Sequence, residues 1–166
     1  PILDGACGKG ATTRYLLKYF PAADLTGIDE SQWAMDFSQV IAPEIRFLVM
    51  DPAKLDFPDE SFQNIICAES APYFDTRAKF FKEAARVLKP GGQLILTDIL
   101  SSKEAVVANH GRYRANYVRD LDTYKKLLIK AGFASSVKLL DLSKICLGGH
   151  IKNFEEYLKT KYRLKE

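Results

Sequence analysis

The sequence predicts a doubly wound α/β fold, in which a parallel sheet carries helices on both faces. Two observations lead to this prediction. Strand-like and helix-like segments alternate along the 166 residues, a pattern typical of consecutive β-α-β units. The first strand-like segment ends in an acid and runs directly into a glycine-rich turn, I-L-D-G-A-C-G-K-G at residues 2–10. Such a turn at the end of a first strand indicates a ligand site at the edge of a parallel sheet.

The first half of the chain contains three predicted strands that are short and apolar. They are residues 2–4, 24–29 and 45–51, and each ends in an aspartate. A helix follows each of the first two strands. Thr12 and Thr13 are placed to cap the first helix, which ends at Pro21, and Ser31 is placed to cap the second, which ends near Pro43.

Three further strands and three further helices are predicted in the rest of the chain. The strands are residues 62–69, 93–98 and 136–142, and the helices are residues 75–89, 120–131 and 153–163. In the first of these helices apolar residues recur at three- and four-residue spacing, and Pro90-Gly91-Gly92 ends it. Trp33, in an earlier helix, is expected to pack on the sheet; the alternative is a role beside the cofactor.

Composition excludes several classes of protein. No apolar run approaches the ~20 residues of a membrane span, and three widely separated cysteines argue against a disulfide framework or a zinc cluster. Residues 1–100 carry 10 Lys and Arg against 14 Asp and Glu, whereas residues 101–166 carry 14 against 7. The basic residues are scattered, which favours a solvated surface over a nucleic-acid site. We expect a cytoplasmic protein with no resident metal.

Asp4 indicates which ligand the glycine-rich turn receives. A carboxylate at the mouth of the loop would repel a pyrophosphate, but it suits a ligand that carries an ammonium group and a sulfonium. We therefore predict S-adenosylmethionine rather than a dinucleotide. Asp29, nineteen positions after Gly10, can accept hydrogen bonds from two vicinal ribose hydroxyls; the alternative is a helix-capping or turn acid.

The segment resembles the first motif of class I S-adenosylmethionine-dependent methyltransferases, in which an acid precedes three alternating glycines. Asp4, Ala6, Gly8 and Gly10 carry this pattern, with Ala6 in place of the usual first glycine. The segment R-V-L-K-P-G-G at residues 86–92 resembles a second signature of the family. The resemblance implies a Rossmann-like methyltransferase sandwich with strand order 3-2-1-4-5 and part of an antiparallel edge.

The resemblance also implies the cofactor-binding residues. They are Asp4, Gly5, Ala6, Cys7, Gly8, Gly10, Asp29, Met50, Asp51, Pro52 and Glu69. In the family, an acid at the position of Asp51 accepts a hydrogen from the adenine amino group, and neighbouring residues flank the ring. A simple turn acid is the alternative for Asp51.

Residues 69–74, E-S-A-P-Y-F, leave the fourth strand beside the cofactor loop and should face the reacting methyl group. Relatives that methylate natural-product and sugar hydroxyls have a histidine where Tyr73 stands. We therefore predict that Tyr73 positions the acceptor and that His110 or Glu69 takes its proton. A partial likeness to the Ser-Pro-Pro-aromatic motif of nucleic-acid amino methyltransferases leaves a less favoured alternative.

These observations predict a single domain over residues 1–166 that transfers a methyl group from S-adenosylmethionine to a small molecule, most plausibly a hydroxyl of a natural product or sugar. Nitrogen and carbon acceptors share the same motifs and stay open, as does a domain that binds the cofactor without catalysis. The chain is expected to be a piece of a longer protein, without the helices that precede the first strand in the family and without the last strand. Its oligomeric state is not predicted.

Overall fold

The computed structural model describes residues 1–100, 116–134 and 137–144. The chain divides into two compact units, residues 1–135 and residues 136–166. The predicted helix over 153–163 and both histidines lie outside the described residues. No helix in the described part of the chain is both long enough and apolar enough to cross a bilayer.

The first unit is built on a five-stranded sheet in which every pair of neighbours is parallel. The strands are β1 (Ile2–Gly5), β2 (Leu25–Asp29), β3 (Arg46–Val49), β4 (Phe62–Ala68) and β5 (Leu88–Thr97). Their spatial order is β3-β2-β1-β4-β5, which confirms the predicted doubly wound α/β fold and strand order. The order reverses between β1 and β4, and in such sheets ligands bind where the carboxyl ends of the strands separate.

Within the first unit, four α-helices of the described residues connect or follow these strands. They are α1 (Ala11–Leu16), α2 (Gln32–Ile41), α3 (Arg77–Val87) and α4 (Leu121–Lys130). Three begin at side-chain caps, because Ser31, Thr76 and Asp120 each accept a hydrogen bond from the backbone N–H three residues later. The cap predicted for α1 is wrong, because its N-cap is Gly10 in the left-handed conformation and Thr13 bonds elsewhere.

Central β1 is the most deeply buried strand, with Leu3 fully buried between the two helical layers. On one side, Phe47 packs with Ile2, Leu25, Met35 and Ile45. In another part of the core, Phe80 and Phe81 of α3 are fully buried, and Phe81 contacts the ring of Tyr124 from α4. Burial of these apolar side chains is the main source of stability.

Three details differ from the sequence prediction. Helix α3 ends at Val87, and β5 begins at once, so that Pro90-Gly91-Gly92 forms an irregularity inside β5 rather than a stop before it. Gly91 has φ +76°, and a Cβ on Gly92 would lie 2.9 Å from the carbonyl oxygen of Gln63, which explains why the two strands approach there only with glycine.

The predicted sixth strand and the predicted packing of Trp33 are also wrong. Residues 137–142 form no strand, and Leu140 is 68% exposed there; the run V-K-L-L-D-L lacks the regular alternation that would bury one strand face. Trp33 is 62% exposed and stacks on Phe37, with the Lys9 ammonium 4.7 Å above its ring. The buried residues of α2 are Ala34, Met35 and Ser38 instead.

Candidate functional site

The candidate site lies at the carboxyl edge of the sheet, where β1, β2, β3 and β4 all end. The loop after β1 carries the glycine-rich turn, and β2 ends at Asp29. Residues 50–52 follow β3, and residues 69–74 follow β4. The topology therefore brings the four predicted segments to one edge.

Backbone hydrogen bonds hold the glycine-rich turn against β2. The N–H of Cys7 donates to the carbonyl of Ile28 at 2.9 Å, and the N–H of Gly8 donates to Asp29 Oδ2 at 2.9 Å. Asp29 Oδ1 accepts from the N–H of Ser31 at 3.0 Å, which is the geometry of a turn acid, whereas the cap of α2 is Ser31 itself. The turn role and the ribose role of Asp29 are compatible. A carboxylate has about four acceptor positions, and two are used here.

Two glycines of the turn are required for different structural reasons. A Cβ on Gly10 would lie 2.9 Å from the ring of Phe47, so Gly10 is required by packing. Gly8 has φ +53° and no atom within 4 Å of the position of a Cβ. Close approach of a ligand to the backbone requires open space of this kind, and we call the space above Gly8 the cradle. Ala6 has φ +60°, a strained conformation for a residue with a side chain.

Asp4 is the most buried acid of the site, with 1% of its surface exposed. Its Oδ2 accepts a hydrogen bond from the Thr13 hydroxyl at 2.7 Å. Burial raises the pKa of Asp4 to about 6, although the Thr13 hydrogen bond acts in the opposite direction. The predicted role of Asp4 toward a cationic ligand stays a prediction, and its burial means that a positive charge nearby would be strongly felt.

A second cluster of acids lies at the ends of β2 and β3. Asp51 is exposed and accepts from the N–H of Ala53 at 2.7 Å, which is the geometry of a turn acid. Burial and the neighbouring carboxylates of Asp51 and Asp29 raise the pKa of Glu30. Asp51 retains free acceptor positions for an adenine amino group, so both interpretations of this residue stay open.

The remaining predicted cofactor residues are structural neighbours of these acids. Gly5 is buried in β1 and lies 3.4 Å, measured to its hypothetical Cβ, from the ring of Phe80. Met50 Sδ accepts from the N–H of Asp56 at 3.4 Å, and Pro52 is buried. Burial raises the pKa of the Cys7 thiol to about 12, so Cys7 is an uncharged wall of the loop rather than a nucleophile.

The segment that follows β4 begins at Glu69, which has φ +57° and an exposed side chain. Its N–H donates to the carbonyl of Thr97 at 2.9 Å. The next residue, Ser70, donates through its hydroxyl to the carbonyl of Ala6 at 3.0 Å. A 3-10 turn, Ala71–Tyr73, follows, and Tyr73 is 70% exposed. Glu69 and Tyr73 thus lie on one segment that is bonded to the cofactor loop, whereas predicted His110 lies outside the described residues.

Sequence reasoning missed a buried polar network beside this segment. Its members are Arg77, Asp98, Asn116 and Tyr124, all nearly inaccessible to solvent. An aspartate directly after the fifth strand and an arginine at the start of α3 gave a signal, because both follow carboxyl ends of strands. Asn116 gave none. Among the described residues, no group of His, Cys, Asp and Glu is arranged to hold a metal ion.

The chain is similar to known proteins over more than half of its length. Residues 3–96 match a family model described as a methyltransferase domain. The chain is 37% identical over 100 residues to 2-methyl-6-phytyl-1,4-hydroquinone methyltransferase of Synechocystis sp., covering 58% of this chain and 31% of the relative. It is 27% identical over 139 residues to phosphoethanolamine N-methyltransferase 3 of Arabidopsis thaliana, covering 80% of this chain and 28% of the relative.

A solved structure agrees with the same fold. The YcgJ protein of Bacillus subtilis superposes with a TM-score of 0.68 at 27% sequence identity, covering 80% of this chain and 61% of that one. The chain spans about a third of the length of the two curated relatives. The likeness therefore concerns the sheet and its carboxyl edge rather than the full length of those proteins.

Proposed function

This chain belongs to the methyltransferase domain family, and from that premise we propose that the protein transfers a methyl group from S-adenosyl-L-methionine to a hydroxyl group of a small molecule. The membership confirms the predicted class of domain and S-adenosyl-L-methionine as its cofactor. The acceptor, and the roles of individual residues, belong to the proposal.

The observation that carries the proposal is the geometry of the glycine-rich turn, in which the N–H of Gly8 is bonded to Asp29 and the space above Gly8 is open. Asp29 Oδ2 holds the N–H of Gly8 at 2.9 Å, and no atom occupies the space within 4 Å of a Cβ on Gly8. A nucleoside fits such a cradle with its ribose hydroxyls directed at Asp29. We assign the adenine amino group to Asp51 and the cationic methionine end to the neighbourhood of Asp4.

The chemistry that the cofactor supplies is an electrophilic methyl group on a sulfonium. The protein's part is to align the acceptor oxygen with that methyl and to exclude water. Tyr73 lies on the segment that Ser70 ties to the cofactor loop, and we propose that its hydroxyl orients the acceptor. Glu69, on the same segment, and His110 are the proposed proton acceptors.

Amine methylation is the second candidate. It is favoured by the similarity to a phosphoethanolamine N-methyltransferase, which extends over 80% of this chain and so further along it than the hydroquinone methyltransferase. An ammonium acceptor has to lose a proton before attack, so the same bases would serve it. The two candidates differ in the product and not in the cofactor site.

The test is methyl transfer from labelled S-adenosyl-L-methionine to three acceptors: 2-methyl-6-phytyl-1,4-hydroquinone, phosphoethanolamine and a simple sugar glycoside. Mass spectrometry of the products, with fragmentation, identifies the methylated atom. A methyl ether supports the proposal, and N-methylation of phosphoethanolamine supports the second candidate. Tight cofactor binding with no labelled product from these acceptors or from a metabolite extract would instead favour a domain that binds the cofactor without catalysis.

The cofactor assignment is tested separately with Asp29→Asn, a change that keeps the shape of the side chain and removes its charge. We expect affinity for S-adenosyl-L-methionine, measured by calorimetry, to fall by about tenfold or more, because charged hydrogen bonds to the ribose are lost. Asp24→Asn is the matched control, since Asp24 precedes the opposite end of β2. Equal affinities for the two variants would contradict the ribose assignment.

A further inference from the structure

A buried polar network lies against the turn that carries Tyr73, and the proposed function does not yet use it. Asn116 is 4% exposed and Arg77 is 5% exposed. Their partner Asp98 has a side chain that is 7% exposed. Buried polar groups of this kind are stable only when they are fully hydrogen-bonded, and here no buried side-chain nitrogen or oxygen among the described residues lacks a partner.

Asn116 uses its side-chain amide to hold both ends of the segment between the turn and α3. Its Nδ2 donates to the carbonyl of Ala71 at 2.8 Å and to that of Pro72 at 3.3 Å. Its Oδ1 accepts from the N–H of Arg77, the first residue of α3, at 2.6 Å. The amide therefore forms hydrogen bonds with the backbone on each side of Tyr73 and Phe74.

Arg77 and Asp98 fix the position of Asn116 in turn. The guanidinium of Arg77 donates to the backbone carbonyl of Asn116 and forms a two-point ion pair with Asp98, with distances of 2.6 and 2.8 Å. The hydroxyl of Tyr124 donates to Asp98 Oδ2 at 2.7 Å. Burial raises the pKa of Tyr124 well above its usual value, so this hydroxyl keeps its proton and remains a donor.

The other end of the turn is fixed to the cofactor loop. The Ser70 hydroxyl donates to the carbonyls of Ala6 and Ala68, both at 3.0 Å. Ala6 and Glu69 both have left-handed backbone conformations, with φ +60° and +57°. Strain of this kind persists only where the surroundings determine the backbone, and it is frequent at functional sites.

We propose that Asn116 is a positioning residue for the acceptor: it holds the turn 70–74 at the distance from the cofactor loop at which Tyr73 meets the acceptor. This inference rests on the proposed function, because it assigns the turn to the acceptor side. Its distinguishing feature is that the hydrogen bonds of Asn116 described above go to Ala71, Pro72 and Arg77 and not to the glycine-rich turn or Asp29. Loss of the amide should therefore impair transfer while cofactor binding is retained.

Two variants separate the halves of the amide. Asn116→Ala removes all its side-chain hydrogen bonds. Asn116→Asp keeps an oxygen for the N–H of Arg77 but cannot donate to the carbonyls of Ala71 and Pro72 when ionised. The matched control is Arg86→Gln at the other end of α3, where Arg86 donates to two main-chain carbonyls away from the turn.

The first measurement is hydrogen exchange of the backbone amides of residues 70–77, followed by mass spectrometry. We expect Asn116→Ala to raise the exchange rates of the amides of Tyr73, Phe74 and Arg77 by about fivefold or more. Each lost hydrogen bond lowers the free energy needed to open the turn locally. Asn116→Asp should raise exchange at Tyr73 and Phe74 while Arg77 stays protected. Arg86→Gln should affect residues 55–60 and leave 70–77 unchanged.

The second measurement separates cofactor binding from transfer. Titration of each variant with S-adenosyl-L-methionine should give affinities within about twofold of the wild type, which also shows that the variants are folded. With whichever of the three acceptors is methylated, both Asn116 variants should lose about 10- to 100-fold in kcat/KM for the acceptor, because small misplacements have large effects on rate. The control should keep its full kcat/KM.

Unchanged exchange at residues 70–77 in Asn116→Ala would overturn the proposal, whatever the activity. So would a loss of cofactor affinity equal to the loss of transfer, since that indicates a general structural role. If the wild-type protein methylates none of the acceptors, the proposed function fails, but the exchange and titration experiments still decide whether Asn116 holds the turn.

Discussion

Helix α3 carries an arginine near each end, and the two arginines lie in opposite environments. Arg77 begins the helix at the carboxyl edge of the sheet, where its side chain is 6% exposed and that of its partner Asp98 7%. Arg86 lies one residue before the end of the helix, toward the amino ends of the strands, with a side chain that is 31% exposed. Its partners Asp59 and Glu83 have side chains that are 73% and 20% exposed.

Both arginines hold a loop by donating to main-chain carbonyls. Arg86 donates to Leu55 and Phe57, each at 2.8 Å, and Arg77 donates to Asn116 and to Ile99. At the amino edge the ion pairs of Arg86 stay partly in water. At the carboxyl edge the ion pair is also removed from water, although burial of an ion pair often gives no net stability over apolar packing. The difference indicates that burial at the carboxyl edge serves geometry rather than stability.

The largest expected effect is the loss of Arg77. Arg77→Ala leaves Asp98 buried without its counter-charge, and we expect the free energy of unfolding to fall by about 3–5 kcal/mol. Arg86→Ala removes more exposed hydrogen bonds, and we expect a loss of about 1–2 kcal/mol. Urea unfolding of both variants measures the difference.

A double variant tests separately whether the Arg77–Asp98 ion pair serves stability or geometry. Arg77→Met combined with Asp98→Leu replaces the ion pair by apolar groups, and we expect it to regain part of the stability lost in Arg77→Ala. The recovery is incomplete because the Tyr124 hydroxyl and the carbonyl of Asn116 lose their partners. Methyl transfer should stay low, because the anchor of Asn116 is absent. Equal losses of stability in Arg77→Ala and Arg86→Ala, or full transfer by the double variant, would contradict the division between the two ends.

Asp4, the other buried charge at the carboxyl edge, predicts an effect of intermediate size. Its pKa is raised to about 6, above the ~3.9 of an exposed aspartate, so the folded protein binds the proton more tightly than the unfolded chain does. This contribution to stability is complete below about pH 4 and is lost as the pH rises through 6. Asp4→Asn should therefore stabilise the cofactor-free protein at pH 7 by on the order of 2 kcal/mol.

The same variant should bind the cofactor less well. If Asp4 faces the cationic end of S-adenosyl-L-methionine, Asp4→Asn weakens binding at pH 7.5, and wild-type affinity rises between pH 5 and 7.5 as Asp4 ionises. Thermal unfolding at several pH values and calorimetry measure the two effects. Thr12→Ser is a mild control at a neighbouring position of α1. A variant that gains stability with unchanged cofactor affinity would remove Asp4 from the cofactor site.

The part of this architecture that sequence could predict is the part set by local patterns. The cap at Ser31 follows from its position before a helical segment, and the convergence of Asp4, Asp29 and Asp51 on one edge follows from apolar runs that end in acids. The order β3-β2-β1-β4-β5 was implied by the resemblance to methyltransferases. Predictions failed where a tertiary contact decided the outcome. Thr13 stands where a cap is expected, but its hydroxyl donates to the buried carboxylate of Asp4 instead. A buried carboxylate without a hydrogen-bond donor costs more free energy than an uncapped helix end.

Long-range pairing explains what was missed. Arg77 and Asp98 are 21 residues apart, and Asn116 reaches Ala71 across 45. No helical or strand period relates such positions. The sequence did not predict the exposed hydrogen bonds of Arg86 either, because Arg86 and Asp59 are 27 residues apart. The signature R-V-L-K-P-G-G contains Arg86 but does not indicate its partners.

The smallest expected effect is the dependence on salt of the coupling energy of each ion pair. A double-mutant cycle on Arg86 and Asp59, with Arg86→Gln and Asp59→Asn, should give a coupling energy of about 0.2–1 kcal/mol, because Asp59 is mostly in water. At 0.5 M NaCl the Debye length falls to about 4 Å, so this coupling should largely disappear. The cycle on Arg77 and Asp98, with Arg77→Gln and Asp98→Asn, should give a larger coupling that salt hardly changes, because ions do not penetrate between buried partners. Equal salt sensitivity of the two cycles would mean that water reaches the Arg77 end as readily as the Arg86 end, and the buried network could not then hold the acceptor-side turn rigidly.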